Sequence, residues 1–99
     1  MRVLEVSNHS KKELNEIRKY TTIKWGKKQS DKYLTELHKS MALLQENPLY
    51  GINKQEISNE IYSFPHASHM IYYKFNHEKL YIMAVIHKSM LPKDQLQGR

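Results

Sequence analysis

Residues 69–87 read HMIYYKFNHEKLYIMAVIH, and this segment gives the chain its clearest β-structure signal. β-Branched and aromatic residues fill two runs, His69–Phe75 and Lys79–His87, each of a length typical of strands. Asn76, His77 and Glu78 lie between the runs and are typical of a tight turn. The segment therefore predicts two neighbouring antiparallel strands.

Further strands are predicted on the N-terminal side of this hairpin. Glu56–Phe64 is a candidate strand, which makes the second half of the chain a three-stranded antiparallel meander. Pro65 falls between the first and second strands of the meander, where its missing N–H does little harm. Near the N-terminus, Val and Leu alternate with charged residues over Arg2–Val6, as in an edge strand. We expect this segment to be a fourth strand.

The segment Lys27–Glu46 has the strongest helical periodicity in the chain. Its apolar positions follow helical spacing and are Tyr33, Leu34, Leu37, Met41 and Leu44. Asn47 and Pro48 are expected to end this helix. Leu49–Gln55, which contains Gly51, is the one plausible long loop.

An earlier helix has its own start and stop signals. Ser10 and Glu13 have the spacing of a capping box, and Ser7 or Asn8 would serve equally well as caps one turn earlier. The helix is predicted to end just before Gly26, which would be its left-handed C-cap residue. Because so short a connection joins the two helices, we expect them to form an antiparallel hairpin.

Together these elements predict an α+β fold in which a helical hairpin packs on a sheet. We expect a single domain, residues 1–99, because a chain of this length is too small for two independent cores. The absence of cysteine excludes a disulfide framework, a thiolate zinc site and a cysteine nucleophile. No apolar run approaches the length of a transmembrane helix, and charges interrupt the N-terminus, so a cytoplasmic protein is expected.

The chain is basic, with sixteen Lys and Arg against ten Asp and Glu and a formal charge of +6. Most of the surplus lies in residues 1–55, the predicted helical part. Such a charge suits nucleic acid, the ribosome or an acidic protein segment as partner. A solvated lysine-rich helix face would give the same composition, so charge alone does not choose between these interpretations.

The predicted meander is apolar on both faces. In the last strand, one face carries Leu80, Ile82, Ala84 and Ile86, and the other carries Tyr81, Met83 and Val85. In the middle strand, Met70 and Tyr72 are opposed by Ile71, Tyr73 and Phe75. A helical hairpin covers only one face, so we expect the other to bind a partner. The alternative is that the C-terminal segment Leu91–Arg99 folds back over it.

No catalytic, metal or cofactor site is predicted. His66 and His69 lie three residues apart on a segment expected to be extended, where their side chains point to opposite faces. His87 ends the most apolar strand, where an imidazole can lie at the rim of a groove, but capping the strand or fixing a turn is its favoured role. Ser89 has neither the small-residue turn nor the carboxylate of a catalytic triad. Trp25 and most of the tyrosines are expected to pack in the core rather than to stack on bases. Exposed positions are expected for His9, His38 and His77.

Several ordered groups of residues resemble the ParE toxins of bacterial toxin–antitoxin pairs. In the helices they are Glu13-Leu14-x-x-Ile17-x-x-Tyr20-Thr21, Trp25-Gly26-x-x-Gln29-x-x-x-Tyr33 and Glu46-Asn47-Pro48-x-x-Gly51. In the strands they are Phe64-Pro65, His69-Met70-Ile71-Tyr72-Tyr73 and Val85-Ile86-His87-Lys88-Ser89-Met90. The resemblance covers almost the whole chain. It implies the fold of the RelE/ParE superfamily, with an N-terminal strand, a helical hairpin and a three-stranded antiparallel meander.

The resemblance also implies a growth-inhibiting toxin that a cognate antitoxin neutralises. ParE-like members poison DNA gyrase, and the antitoxin usually binds through an acidic, partly disordered C-terminal segment. On this interpretation the antitoxin segment binds the doubly apolar sheet together with the groove beside the helical hairpin, and the antitoxin-binding residues are Tyr62, Tyr72, Tyr81 and Met83. The candidate target contacts are His87, Lys88 and Met90. Operator DNA would be bound only indirectly, through the antitoxin, and no membrane is involved.

RelE-like relatives instead cut messenger RNA on the ribosome, and the residues favour the ParE-like interpretation. Cleavage needs cations that stabilise the phosphorane, together with an acid and a base. Tyr62 and Ala84 stand where related toxins often carry Arg, and residues 81–86 contain no cation. Lys74 and His87 alone would make a poor active site. We therefore expect no enzyme activity; the alternatives are an mRNA endonuclease and a non-toxic basic nucleic-acid-binding module.

Overall fold

The computed structural model describes residues 2–99. Strand β1 spans Val3–Val6, helix α1 Asn8–Trp25 and helix α2 Lys27–Glu46; a 3₁₀ turn, Pro48–Tyr50, and strand β2, Ile52–Asn53, follow. The remaining elements are β3 (Tyr62–His66), β4 (His69–Phe75), β5 (Lys79–His87) and helix α3 (Pro92–Leu96). The predicted α+β fold is confirmed, and α2, β4 and β5 have the bounds that the sequence predicts.

The five strands form one sheet in the order β1-β5-β4-β3-β2. Strand β1 runs parallel to β5, and the other neighbours are antiparallel. Helices α1 and α2 pack together on one face, while α3 contacts β5 from the other. Strand β2 lies in the segment predicted to be a loop, and its two residues are too few for a sequence pattern. No helix within residues 2–99 is long and apolar enough to cross a membrane.

Helix α1 begins with a cap at Ser7, whose Oγ accepts the backbone N–H of Ser10 at 3.0 Å. Ser10 is fully buried, and its own Oγ donates to the carbonyl of Ile82 at 3.2 Å. The capping box between Ser10 and Glu13 therefore does not form. At the other end Gly26 has the expected positive φ of 89°, but its ψ of 165° lies outside the left-handed helical region.

The third strand is shorter and lies later than predicted. The residues from Gln55 to Glu60 form turns, and β3 begins only at Tyr62. Pro65 is inside this strand, paired with Met70, rather than between strands. The outer neighbour β2 pairs only with Tyr62 and Ser63, so Pro65 lies at an open sheet edge, where the ladder loses nothing by its missing N–H.

A β-bulge in β5 changes which residues face the helices. Tyr72 pairs with Ala84 and Tyr73 pairs with Ile82, so Met83 is an extra residue in the ladder. The predicted alternation is correct for β4 but wrong for β5 after Ile82, because Val85 joins the helix-side core while Ala84 and Ile86 turn away. The helix-side core contains Ile17, Leu34, Leu37, Met41, Leu44, Ile71, Tyr73, Leu80, Ile82 and Val85.

Candidate protein-binding surfaces

The sheet face opposite the helical hairpin is apolar, and we call it the covered face. Strands β4 and β5 supply it with Met70, Tyr72, Tyr81, Met83, Ala84 and Ile86. Ile57, Ile61 and Leu96 close it from outside, and Leu96 is the one buried residue of α3. Tyr72 and Met83 are only 4% and 3% exposed. The expectation of an open apolar patch is therefore wrong: the C-terminal segment folds back over this face.

A polar latch holds the end of the chain over the covered face. The Arg99 guanidinium makes two hydrogen bonds to the Glu13 carboxylate, at 3.1 and 2.9 Å, and a third to the carbonyl of Met83 at 3.1 Å. Glu13 also accepts the backbone N–H of Val85 at 3.1 Å, just after the bulge. Both charged side chains are largely buried. Glu13 therefore joins α1, β5 and the C-terminus.

The structure separates the four residues predicted to bind an antitoxin. Tyr72, Tyr81 and Met83 belong to the covered face, where Tyr81 is half-buried and the other two are buried. Burial raises the pKa of the Tyr72 phenol. Tyr62 is half-buried on the helix side, where its ring stacks on Tyr73 at a centroid distance of 5.9 Å. Whether any of them contacts an antitoxin stays a prediction.

A second apolar surface lies on the helix side, between α1, α2 and the ends of β4 and β5. This aromatic cleft has a volume of about 570 Å³. Ile17 and Thr21 are its buried lining residues, and Glu16 and Ser68 also line it. Its other lining side chains are Tyr20, Lys24, Trp25, Tyr33, His69, His87 and Met90. It shares no lining residue with the hollow beside Leu96 on the covered face.

The aromatic rings at the rim of the cleft are exposed. Trp25 and Tyr20 are 57% and 58% exposed, so the expectation that Trp25 anchors the core is wrong. Their rings are perpendicular, with centroids 6.3 Å apart. The Lys24 ammonium lies 5.4 Å from the centre of the Tyr20 ring and 5.1 Å from that of the Trp25 ring. One face of each ring is therefore occupied by a cation.

Three histidines lie close together near the cleft: His69 and His87 line it, and His66 contacts Tyr33 beside them. Ala67 and Ser68 form a two-residue turn, so His66 and His69 are cross-strand partners and both rings contact Tyr33. The expectation that these two histidines point to opposite faces is wrong, because it assumed a single extended segment. No group of three His, Cys, Asp or Glu within residues 2–99 is arranged to hold a metal ion.

Burial lowers the pKa of two of these histidines, His66 and His69. The Tyr33 hydroxyl lies 2.7 Å from Nδ1 of His69. Burial, together with the neighbouring His87 and His66, lowers the pKa of His69 to about 4. Burial also lowers the pKa of His66. His69 therefore presents an uncharged imidazole to the cleft at neutral pH.

Two of the three residues predicted to contact a target line the cleft. His87 and Met90 are exposed lining residues, and the His87 ring lies 5.6 Å from that of His69. Lys88 is exposed but is not a lining residue; its backbone N–H donates to the carbonyl of Ser68 at 2.9 Å. The contact of these residues with a target remains a prediction.

Sequence reasoning missed the rim residues Tyr20, Lys24 and Trp25 and the latch between Glu13 and Arg99. The rim had no clear signal, because Lys24 follows Ile17 by seven residues and Trp25 follows Thr21 by four, spacings that place them on the same side of α1 as the buried residues. The latch had none, because 86 positions separate its two residues in the sequence.

The strand, the helical hairpin and the following sheet define the RelE/ParE class of α+β toxins. Residues 4–92 match the family described as "ParE toxin of type II toxin-antitoxin system, parDE", and the chain belongs to this family. Toxin ParE1 of Caulobacter vibrioides is 26% identical over 90 residues, which cover 91% of this chain and 93% of that protein. A solved structure titled "Chromosomal ParDE TA system from P. aeruginosa" has a similar fold, with a TM-score of 0.75 and 11% identity. The alignment covers 88% of this chain and 96% of that one.

Proposed function

We propose that this chain inhibits growth in the cytoplasm by contacting DNA gyrase and is neutralised by an antitoxin that binds the covered face. The main support for this antitoxin site is the weak closure of the covered face. A wide apolar surface on β4 and β5 is shielded at its C-terminal side by a five-residue helix with one buried side chain, Leu96. A helix this short has little stability of its own.

In this proposal the antitoxin segment replaces α3 and carries its own apolar anchors to Tyr72, Tyr81 and Met83. Lifting α3 exposes Leu96 and its neighbours, which costs about 2–3 kcal/mol. Loss of the charged hydrogen bonds of Arg99 adds about 2 kcal/mol. A nanomolar complex has a binding free energy of about 12 kcal/mol, which is enough to offset this cost. The acidic, disordered segment expected from the family resemblance also complements the chain's charge of +6.

The gyrase target rests on membership of the ParE family, and the proposed action is by protein contact without covalent chemistry. Among the described residues that line the aromatic cleft, Lys24 is the one permanent cation. That is too little positive charge to stabilise a pentacoordinate phosphorane.

A supercoiling assay with purified gyrase tests the target. Wild-type protein is expected to cause cleaved DNA–gyrase complexes to accumulate, and addition of the antitoxin is expected to abolish this. Normal supercoiling at saturating toxin, in a preparation that still stops growth, would rule out gyrase as the target.

Cleavage of messenger RNA on the ribosome is the second candidate, and the neighbouring His69, His87 and Tyr33 favour it. Imidazole and phenol groups side by side are suitable for acid–base catalysis. Codon-dependent cuts in ribosome-bound RNA that disappear in both His69→Gln and His87→Gln would establish this activity. An intact transcript at toxic protein levels would exclude it.

A further inference from the structure

The aromatic cleft combines an apolar opening with one cation at its rim, Lys24, within a basic part of the helical hairpin. Between residues 16 and 32 there are six basic and two acidic side chains. Both acids already have partners: Asp31 pairs with Arg18 and Lys27, and Glu16 pairs with Lys19. Within residues 2–99, Lys24, Lys28 and Lys32 make no ion pair. Residues 16–32, which include Lys24 of the rim, therefore carry positive charge that the described part of the chain does not neutralise.

The apolar part of the cleft is as exposed as the rim. Met90 is 46% exposed and Trp25 more than half, although both residues adjoin lining side chains that are buried. At the inner end, the imidazole of His69 stays neutral and is hydrogen-bonded to Tyr33. An apolar side chain entering the cleft would therefore meet mainly apolar and neutral groups; the charged lining residues are Lys24 and Glu16, and the Glu16 carboxylate pairs with Lys19.

We propose that the aromatic cleft is a docking site for an acidic segment of a partner protein, which inserts one large apolar side chain beside Trp25 and Met90. Its carboxylates pair with Lys24 and the neighbouring lysines. This proposal rests on the proposed function in one respect only: it identifies the partner as the toxin's target rather than its antitoxin. The antitoxin is assigned to the covered face, which lies on the opposite side of the sheet from the cleft.

The geometry of the rings favours a protein segment over single-stranded nucleic acid. Bases stack on aromatic rings whose faces are free. Here Tyr20 and Trp25 are perpendicular, and Lys24 lies over one face of each ring. The free edges of the rings suit an aliphatic or aromatic side chain, and the ammonium suits a carboxylate.

Trp25 is the chain's single tryptophan and reports directly on the cleft. The probe is a short tryptophan-free peptide in which glutamate alternates with leucine and phenylalanine. It is expected to shift Trp25 fluorescence to the blue with saturable binding. Lys24→Glu should weaken this binding roughly tenfold, whereas Lys12→Glu, the same charge change at an exposed site near the other end of α1, should change it less than about twofold.

Two results of the peptide experiment would overturn the docking site. One is the absence of saturable binding by the glutamate peptide. The other is tighter binding of oligothymidylate than of the glutamate peptide, which would make the cleft a nucleic-acid site.

A cell experiment tests the identity of the partner. The exposed double substitution Tyr20→Ala with Lys24→Glu is expected to abolish growth inhibition while calorimetric affinity for the antitoxin stays within about twofold. Full toxicity of the double variant, or antitoxin affinity reduced together with toxicity, would overturn the assignment to the target. If the wild-type chain does not inhibit growth, the proposed function fails, and peptide binding still decides whether the cleft is a docking site.

Discussion

The covered face and the aromatic cleft are both apolar, yet the covered face is buried by the chain's own C-terminal segment and the rim of the cleft is exposed. On the covered face, Met83 is buried under α3, and the charged pair of Glu13 and Arg99 secures the chain end. At the cleft, Trp25 and Met90 stay exposed, and Lys24 beside Trp25 makes no ion pair within residues 2–99. Apolar sequence alone therefore does not reveal an open binding surface. What distinguishes the two regions is whether another part of the same chain reaches them.

Substitution of one methionine in each region should give the largest contrast. Met83→Asp places a charge in a buried position and is expected to lower the free energy of unfolding by about 4 kcal/mol or more. Met90→Asp, at an exposed position, should lower it by no more than about 0.5 kcal/mol. Urea denaturation followed by circular dichroism measures both. Equal stability of the two variants would mean that the covered face is open in solution.

Two leucines of the C-terminal segment provide a milder version of the same test. Leu96→Ala removes the buried side chain of α3 and is expected to cost about 2–3 kcal/mol. Leu91→Ala, at a position that is 68% exposed, should cost less than about 0.5 kcal/mol. Urea midpoints at constant m-value distinguish them. If both substitutions are neutral, the tail does not pack on the sheet.

The cleft should make stability depend on pH in the acid range through His69. The folded state lowers the pKa of His69 to about 4, so at acid pH the unfolded chain binds a proton that the folded chain does not. Stability is therefore complete above about pH 6.5 and falls as the pH drops toward 4, by about 2 kcal/mol for this residue. Urea titrations across this range measure the loss.

Matched glutamine variants show whether this pH dependence comes from the cleft. His69→Gln should flatten the profile, while His77→Gln, in an exposed turn, should leave it unchanged. A His69→Gln profile identical to that of the wild type would assign the pH dependence to other groups.

The latch should give a smaller effect on stability and an opposite effect on binding. Arg99→Ala removes the hydrogen bonds to Glu13 and Met83 and is expected to cost about 1.5 kcal/mol. Because the antitoxin must lift the tail, the same substitution should tighten antitoxin binding by up to about tenfold in calorimetry.

An exposed ion pair supplies the control for the latch. Arg18→Ala breaks the half-exposed pair with Asp31 and should change stability by less than about 1 kcal/mol, with no effect on antitoxin binding. Weaker antitoxin binding by Arg99→Ala would show that the latch belongs to the interface instead of competing with it.

Much of the fold was predictable because its signals are local. Lys27–Glu46, His69–Phe75 and Lys79–His87 have strong periodicity or composition, and their observed bounds match the predicted ones. The bulge at Met83 was not predictable, since strict alternation assumes an unbroken ladder, and it reversed the predicted faces of Ala84, Val85 and Ile86. Strand β2 was too short to leave a pattern.

The candidate surfaces were harder to predict because they depend on contacts distant in sequence. The sequence indicates two apolar sheet faces. It does not show whether a partner protein or the C-terminal segment covers the second face. The pairing of His66 with His69 depended on a two-residue turn at Ala67 and Ser68 that was not recognised. The sequence predicts His87 and Met90, which line the cleft, as target contacts, but it predicts that Trp25 of the aromatic rim packs in the core.

Hydrogen–deuterium exchange on the chain alone and bound to its antitoxin tests the central claim most directly. If the antitoxin takes the covered face, amides of residues 91–99 should lose protection on binding, while amides of β5 keep or gain protection and the rim of the aromatic cleft does not change. Retained protection of residues 91–99, with new protection around Tyr20 and Trp25, would contradict the account and place the antitoxin in the cleft.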